Sequence, residues 1–232
     1  DPEGSGELTS LRVRDADVVF EDATTGAVWH APKASFQFVR DRHGITGLAV
    51  VDIEIGERRL TLSADTRFDY VRQTVAAKVR FNEVDARYLA QNSPRLAALA
   101  PLGVPLSGTV AFEFAADGTL SPFDFEVDGG SGDLDLSPFL AEPLAVDRVR
   151  AVGRIPRDGK FIAFDELTLL NGAARVDLSG RVTLNGEGPE LDLGGGVSGI
   201  TVQQIKRYWP PSLAKTARAW FAEYVETGSI SQ

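Results

Sequence analysis

Two histidines, thirty-three acidic residues and no cysteine set the chemistry open to this chain of 232 residues. His30 and His43 sit on separate segments without HxH or HxxxH spacing, so neither a metal site nor a histidine-based triad is expected. The stretch DADVVFED, 15–22, gathers Asp15, Asp17, Glu21 and Asp22. Paired carboxylates do acid–base work when a pocket separates their pKa values, but no partner base stands beside these. They are expected on a solvated strand edge, where charge blunts edge-to-edge association. GGGVSG, 194–199, matches a dinucleotide fingerprint through Gly194, Gly196 and Gly199. That chemistry needs a helix N-terminus inside a βαβ unit, which is absent, so a glycine-rich bend is expected. DGGSGDLDLS, 128–137, approaches a calcium-binding repeat, but Leu134 stands where the repeat needs aspartate. Asp133 and Asp135 are expected on the wet face of a strand whose inner face carries Leu134 and Leu136. Trp29, Tyr208, Trp209 and Trp220 are expected to pack near helix ends. No nucleophile–base pair or metal set emerges, so an enzyme is not expected, nor any cofactor.

The bulk numbers narrow the partners. A net charge of −9 without clustered Lys and Arg argues against nucleic acid. No apolar run reaches the 18 or more residues of a membrane span, and no signal peptide is visible. The lack of any Met, with the closing GSISQ, reads as an excerpt of a longer chain.

The elements that must position these residues are strands. From Ala174 to Asn185 the chain alternates, with Ala174, Val176, Leu178, Val182 and Leu184 on one face. Arg175, Asp177, Ser179, Arg181, Thr183 and Asn185 take the other. At about 3.3 Å per residue this strand runs roughly 40 Å. Period two recurs at 35–40, 51–55, 60–65, 74–81, 109–114 and 123–127. It continues at 133–136, 148–155, 160–170 and 190–193. Turn chemistry joins them: TTG at 24–26, DRHG at 41–44, ADG at 116–118, RDG at 157–159 and NGEG at 185–188. Short turns imply antiparallel neighbours, so a mainly β, largely antiparallel meander is expected.

Helical spacing is confined to two short segments. One covers 84–100, interrupted by Pro94. The other covers 212–227, with Ser212 as cap, Leu213, Ala217, Trp220, Phe221 and Tyr224 on one face, and Gly228 as stop. VDARYLA at 84–90 matches ITVQQIK at 200–206 in its apolar positions, which suggests two repeats, 1–106 and 107–232, within one continuous β segment. Two short helices leave most of the apolar strand faces uncovered. A second sheet could close them as a sandwich, or they could line a trough. Their apolar members should share one surface: Phe112 and Phe114, Phe123 and Phe125, Leu134 and Leu136. Val176, Leu178, Val182, Leu184, Leu191 and Leu193 continue it.

Three segments carry a resemblance. ADVVFEDATTGAVWHAP, 16–32, resembles the strand–turn–strand with a trailing Trp of the AsmA-like envelope proteins of Gram-negative bacteria. PLSGTVAFEFAADGTLSPFDFEVDGGSGDLDL, 105–136, is similar to that family's hairpin. IKRYWPPSLAKTARAWFAEYVETGSIS, 205–231, resembles its most recognisable segment, an aromatic pair before Pro, a helix with a central Trp, then Gly and a new strand. YhdP-type members are the nearest subgroup, with TamB more distant.

The resemblance implies an elongated, curled sheet whose apolar concave side forms a groove. It implies a protein anchored in the inner membrane and extending through the periplasm, moving phospholipid towards the outer membrane. The partners would be phospholipid acyl chains, met by the twelve apolar residues above, with membranes reached through other parts of the chain. No catalytic motif is carried over. The alternative is a structural or outer-membrane assembly β module with a closed core and no lipid.

Overall fold

A computed structural model describes residues 8–22, 27–92, 97, 99–137, 139–185, 188–211 and 214–230. The expected turn at 24–26, Pro94, positions 186–187, and Ser212 with Leu213 lie outside them. The chain opens with β1 (Ser10–Asp22), β2 (Ala27–Arg40), β3 (Gly44–Ile55), β4 (Arg58–Asp69) and β5 (Thr74–Asp85). Helix α1 (Ala86–Asn92) follows, then β6 (Leu102–Gly103), β7 (Pro105–Ala115), β8 (Phe123–Gly129), β9 (Gly132–Leu134) and β10 (Leu144–Val146). The second half holds β11 (Arg148–Ile155), β12 (Phe161–Asn171), β13 (Ala174–Asn185), β14 (Gly188–Ser198) and β15 (Ile200–Thr201). Helices α2 (Val202–Tyr208) and α3 (Lys215–Tyr224) precede β16 (Ser229–Ile230).

The fold is mainly β. Eleven strands form one sheet in the order β1-β2-β3-β4-β5-β7-β8-β11-β12-β13-β14. The register is antiparallel at β1/β2, β2/β3, β3/β4, β4/β5, β11/β12, β12/β13 and β13/β14. The order ends at β1 and β14, so the sheet does not close into a barrel. A three-stranded sheet, β10-β9-β6, and the pair β15-β16 stand apart from it.

Contacts divide the chain into two compact units, 1–82 with 108–124 and 83–107 with 125–232. They interleave, unlike the sequential halves 1–106 and 107–232 expected from the repeat. The reason is the connection 83–107, which packs with later residues. Arg87 Nη2 reaches Asp133 Oδ2 at 2.5 Å, and Val104 shares a core with Leu134 and Val146.

The turns of the first unit are stabilised by carboxylates. Asp41 Oδ1 accepts the backbone N–H groups of His43 (2.7 Å) and Gly44 (2.9 Å), and Asp69 Oδ1 does the same for Val71 and Arg72. These bonds favour the charged forms and hold both carboxyls below their ordinary values.

The helices depart from the sequence reading in number and length. Of the expected helical region 84–100, Val84 and Asp85 belong to β5, helix α1 is described over Ala86–Asn92, and 93–96 and 98 lie outside the described residues. Helix α2 is additional: Thr201 caps it by accepting Gln204 N–H (3.2 Å), and Gln204 Oε1 accepts Thr201 N–H (2.9 Å). That T-x-x-Q box was visible in ITVQQIK as a helix start. Helix α3 begins after Ala214, which is left-handed at φ 44° and gives no side-chain cap. It ends at Tyr224, so Gly228 is not its stop. The paired segments of the repeat do share a local device. Asp85 accepts Tyr88 N–H at 2.9 Å as Thr201 accepts Gln204 N–H, and Ala86 and Val202, the next residues, are both buried.

GGGVSG is also corrected. Strand β14 stays extended through Ser198, and the chain bends only at Gly199, φ 64°. Gly195 lies opposite Leu178, and a Cβ there would overlap the Asp177 carbonyl oxygen. Close approach of two backbones, not a bend, explains that glycine.

Candidate functional site

Residues directly opposite in an antiparallel pair project to the same face, so the register assigns every side chain. In the second unit Val176 faces Val197, Val182 faces Leu191, and Leu193 lies opposite Gly180. Across β12, Ile162 lies opposite Val182 and Phe164 opposite Gly180; beyond a bulge, Leu167 lies opposite Leu178 and Leu169 opposite Val176. On β11, Val149 pairs with Leu169 and Ala151 with Leu167. Phe125 joins the same face through an edge-on contact with Phe164, 5.9 Å between ring centroids. The face is thus apolar from β8 to β14. It holds seven of the twelve expected residues: Phe125, Val176, Leu178, Val182, Leu184, Leu191 and Leu193.

The opposite face is charged and paired. Arg150 Nη2 meets Glu126 Oε1 at 2.7 Å, and its other nitrogens reach Asp128 (3.3 Å) and Glu166 (3.4 Å). Arg148 reaches Asp128 at 2.9 Å. Arg175 Nε donates to Asp177 at 2.6 Å, as does Thr168 Oγ1 at 2.7 Å. The Arg175 bond, then the Thr168 bond, holds the Asp177 carboxyl below its ordinary value. Phe161, on this polar face, lies under the Arg181 guanidinium, 4.2 Å from its ring centroid.

What covers the apolar face decides its meaning. Val176, Leu178 and Val182 are only half-buried, and Leu184, Leu191 and Val197 are 43%, 44% and 41% exposed. Among the described residues no large side chain is fully buried. A sandwich would bury the middle of β13 completely. The three-stranded sheet covers one end alone, where Val104, Leu134 and Val146 form a closed cluster against Val149 and Leu169. Leu134, 5% exposed, and Leu136 therefore cover the face and do not extend it. They are corrected as lining residues.

In the first unit, Phe112 and Phe123 touch at 5.3 Å, and Phe114 bridges to Leu120 while staying exposed. A row the lining set omitted crosses β2 to β5: Ala34, Val51, Leu62 and Phe81. In the second unit the omissions are Val149, Ile162, Phe164, Leu167, Leu169 and Val197. Strand 160–170 was legible, but the bulge between Phe164 and Leu167 shifts its apolar positions from even to odd numbers.

The acidic stretch at 15–22 does have a partner. His30 Nε2 meets Asp17 Oδ1 at 2.8 Å and its Nδ1 meets Glu54 Oε2 at 2.9 Å, tying β1, β2 and β3. Arg59 Nη2 donates to Glu54 Oε1 at 3.1 Å. The Asp17 bond, then the Glu54 bond, raises the His30 pKa. The Arg59 and His30 bonds lower that of Glu54. The array is exposed, which suits a clamp on an edge strand. Asp133 is engaged by Arg87, and Asp135 accepts Ser137 N–H at 3.1 Å. Of the aromatics, Trp209 packs on Phe221 at 5.5 Å, whereas Trp220 stacks on Tyr224 in the open, 58% exposed.

Comparison with known protein families, curated proteins and solved structures finds no match to this chain.

Proposed function

We propose that this chain is a segment of a bridge-like lipid-transfer protein. It guides phospholipid acyl chains along the apolar face of its sheet, across the periplasm towards the outer membrane. The observation that carries the reading is a broad apolar face, backed by a charged and paired one, with a second layer, among the described residues, over one end only. Four neighbouring strands spaced about 4.8 Å apart offer an apolar strip roughly 15 Å wide. A methylene in water costs about 0.8 kcal/mol, so ten moved bare through solvent would cost about 8 kcal/mol. A continuous apolar surface removes most of that barrier without any catalytic group. The resemblance to AsmA-like envelope proteins supports the compartment and the direction.

The closed cluster of Val104, Leu134 and Val146 favours a second reading, a structural or assembly module that holds no lipid. Leu178→Asp separates the two. On an open face the carboxylate keeps its water, so the melting temperature stays near wild type while co-purifying lipid, read by native mass spectrometry, falls. In a closed core the buried charge costs several kcal/mol and the melt collapses. A collapsed melt, or unchanged lipid content, would overturn the conduit reading.

A further inference from the structure

A second concavity lies between α2 and α3. It has a volume of about 440 Å³, with Trp209, Pro211 and Phe221 on its walls and Lys206, Lys215 and Arg218 around it. None of the described residues lining it is acidic. Lys206 Nζ donates one hydrogen bond to the Ala222 carbonyl at 2.9 Å, which fixes the ammonium between the helices and leaves two N–H groups to give. Lys215 and Arg218 have no carboxylate partner among the described residues. Arg207, the next residue after Lys206, is paired instead with Glu142, its Nε donating to Oε2 at 2.8 Å. In a chain of net charge −9, three cations lining one cleft with no carboxylate partner among the described residues are an exception that a bound anion would resolve.

We infer that the α2–α3 cleft binds the phosphate group of a lipid. A phosphate diester presents two charged oxygens to ammonium and guanidinium donors that match them. The contact of Trp209 with Phe221, 5.5 Å between centroids, supplies an apolar wall for the carbons next to the phosphate. Charge alone would hold free phosphate; the wall favours one that carries an apolar body. The choice of lipid as that body rests on the acyl-chain reading above, whereas the anion preference rests on the cleft itself.

The test follows the Trp209 indole N–H resonance, identified by its loss in Trp209→Phe, as the chain is titrated. The three probes are dihexanoyl phosphatidylglycerol, inorganic phosphate and neutral dihexanoylglycerol. The phosphatidylglycerol should shift the resonance saturably and bind at least tenfold tighter than either other probe. Each surface cation near an anionic lipid contributes about fivefold, so Lys215→Gln with Arg218→Gln should weaken binding about twenty-five-fold. Both side chains are on an exposed helix, and an unchanged circular dichroism spectrum checks that the fold survives. Wild-type affinity in the double variant overturns the site. Equal affinity for inorganic phosphate and the phospholipid overturns the lipid as its ligand. Leu178→Asp, which tests the acyl-chain face, should leave this resonance titration unchanged, so the two readings fail separately.

Discussion

At the scale of single residues, His30 makes the sharpest statement. A neutral imidazole has one N–H and can satisfy one carboxylate, so a ring set between Asp17 and Glu54 is best served when protonated. Its pKa is raised above the ordinary 6.5. The stabilisation is therefore complete below 6.5 and is lost as pH rises through the folded value. Glu54, lowered from 4.5, adds stability above 4.5 that is lost as pH falls through its folded value. The clamp should be firmest between those two ordinary values. His30→Gln should abolish the fall in melting temperature on the alkaline side, with Lys33, Asp52 and Arg59 as the other charges on that face unchanged. A wild-type pH profile in that variant would show that the clamp does not matter. Burial supports a second contrast: Leu134→Ala should cost about 2–5 kcal/mol in thermal denaturation, and Leu184→Ala, 43% exposed, much less. Neither fact was readable from sequence. The His30 array joins positions brought together only by pairing, and Leu134 alternates like any lining residue.

At the scale of elements, alternation made the strands legible because period two survives wherever pairing is regular, as in β13 and β14. It failed where a bulge changed parity in β12, which hid Leu167 and Leu169. Helix α2 escaped because seven residues give too few turns for a helical period, leaving only its capping box as a signal. Thr201→Ala should cost about 1 kcal/mol and raise amide exchange in α2. The glycines of β14 give a paired outcome. Gly195→Ala forces a methyl into the Asp177 carbonyl and should destabilise β13/β14 by about 1–3 kcal/mol in denaturant titration. Gly194→Ala, with open space at its Cβ, should change stability by no more than about 0.5 kcal/mol.

At the scale of the whole molecule, fold class followed from the recurrence of strands and turns, while the extent of cover did not, since a sandwich and a trough alternate alike. With no large side chain fully buried among the described residues, unfolding exposes less new surface than the length suggests. The urea m-value should therefore fall below that of a compact protein of 232 residues. The order of the large sheet has a kinetic consequence as well. Its strands follow chain order, with only β6, β9 and β10 set aside between them. Such local pairing keeps loop closure short and contact order low. A chain emerging N-terminus first, from a ribosome or a translocation pore, can add each new strand to the edge just completed. Assembly can thus keep pace with delivery, with new pairing confined to the growing edge while the acidic β1 guards the other.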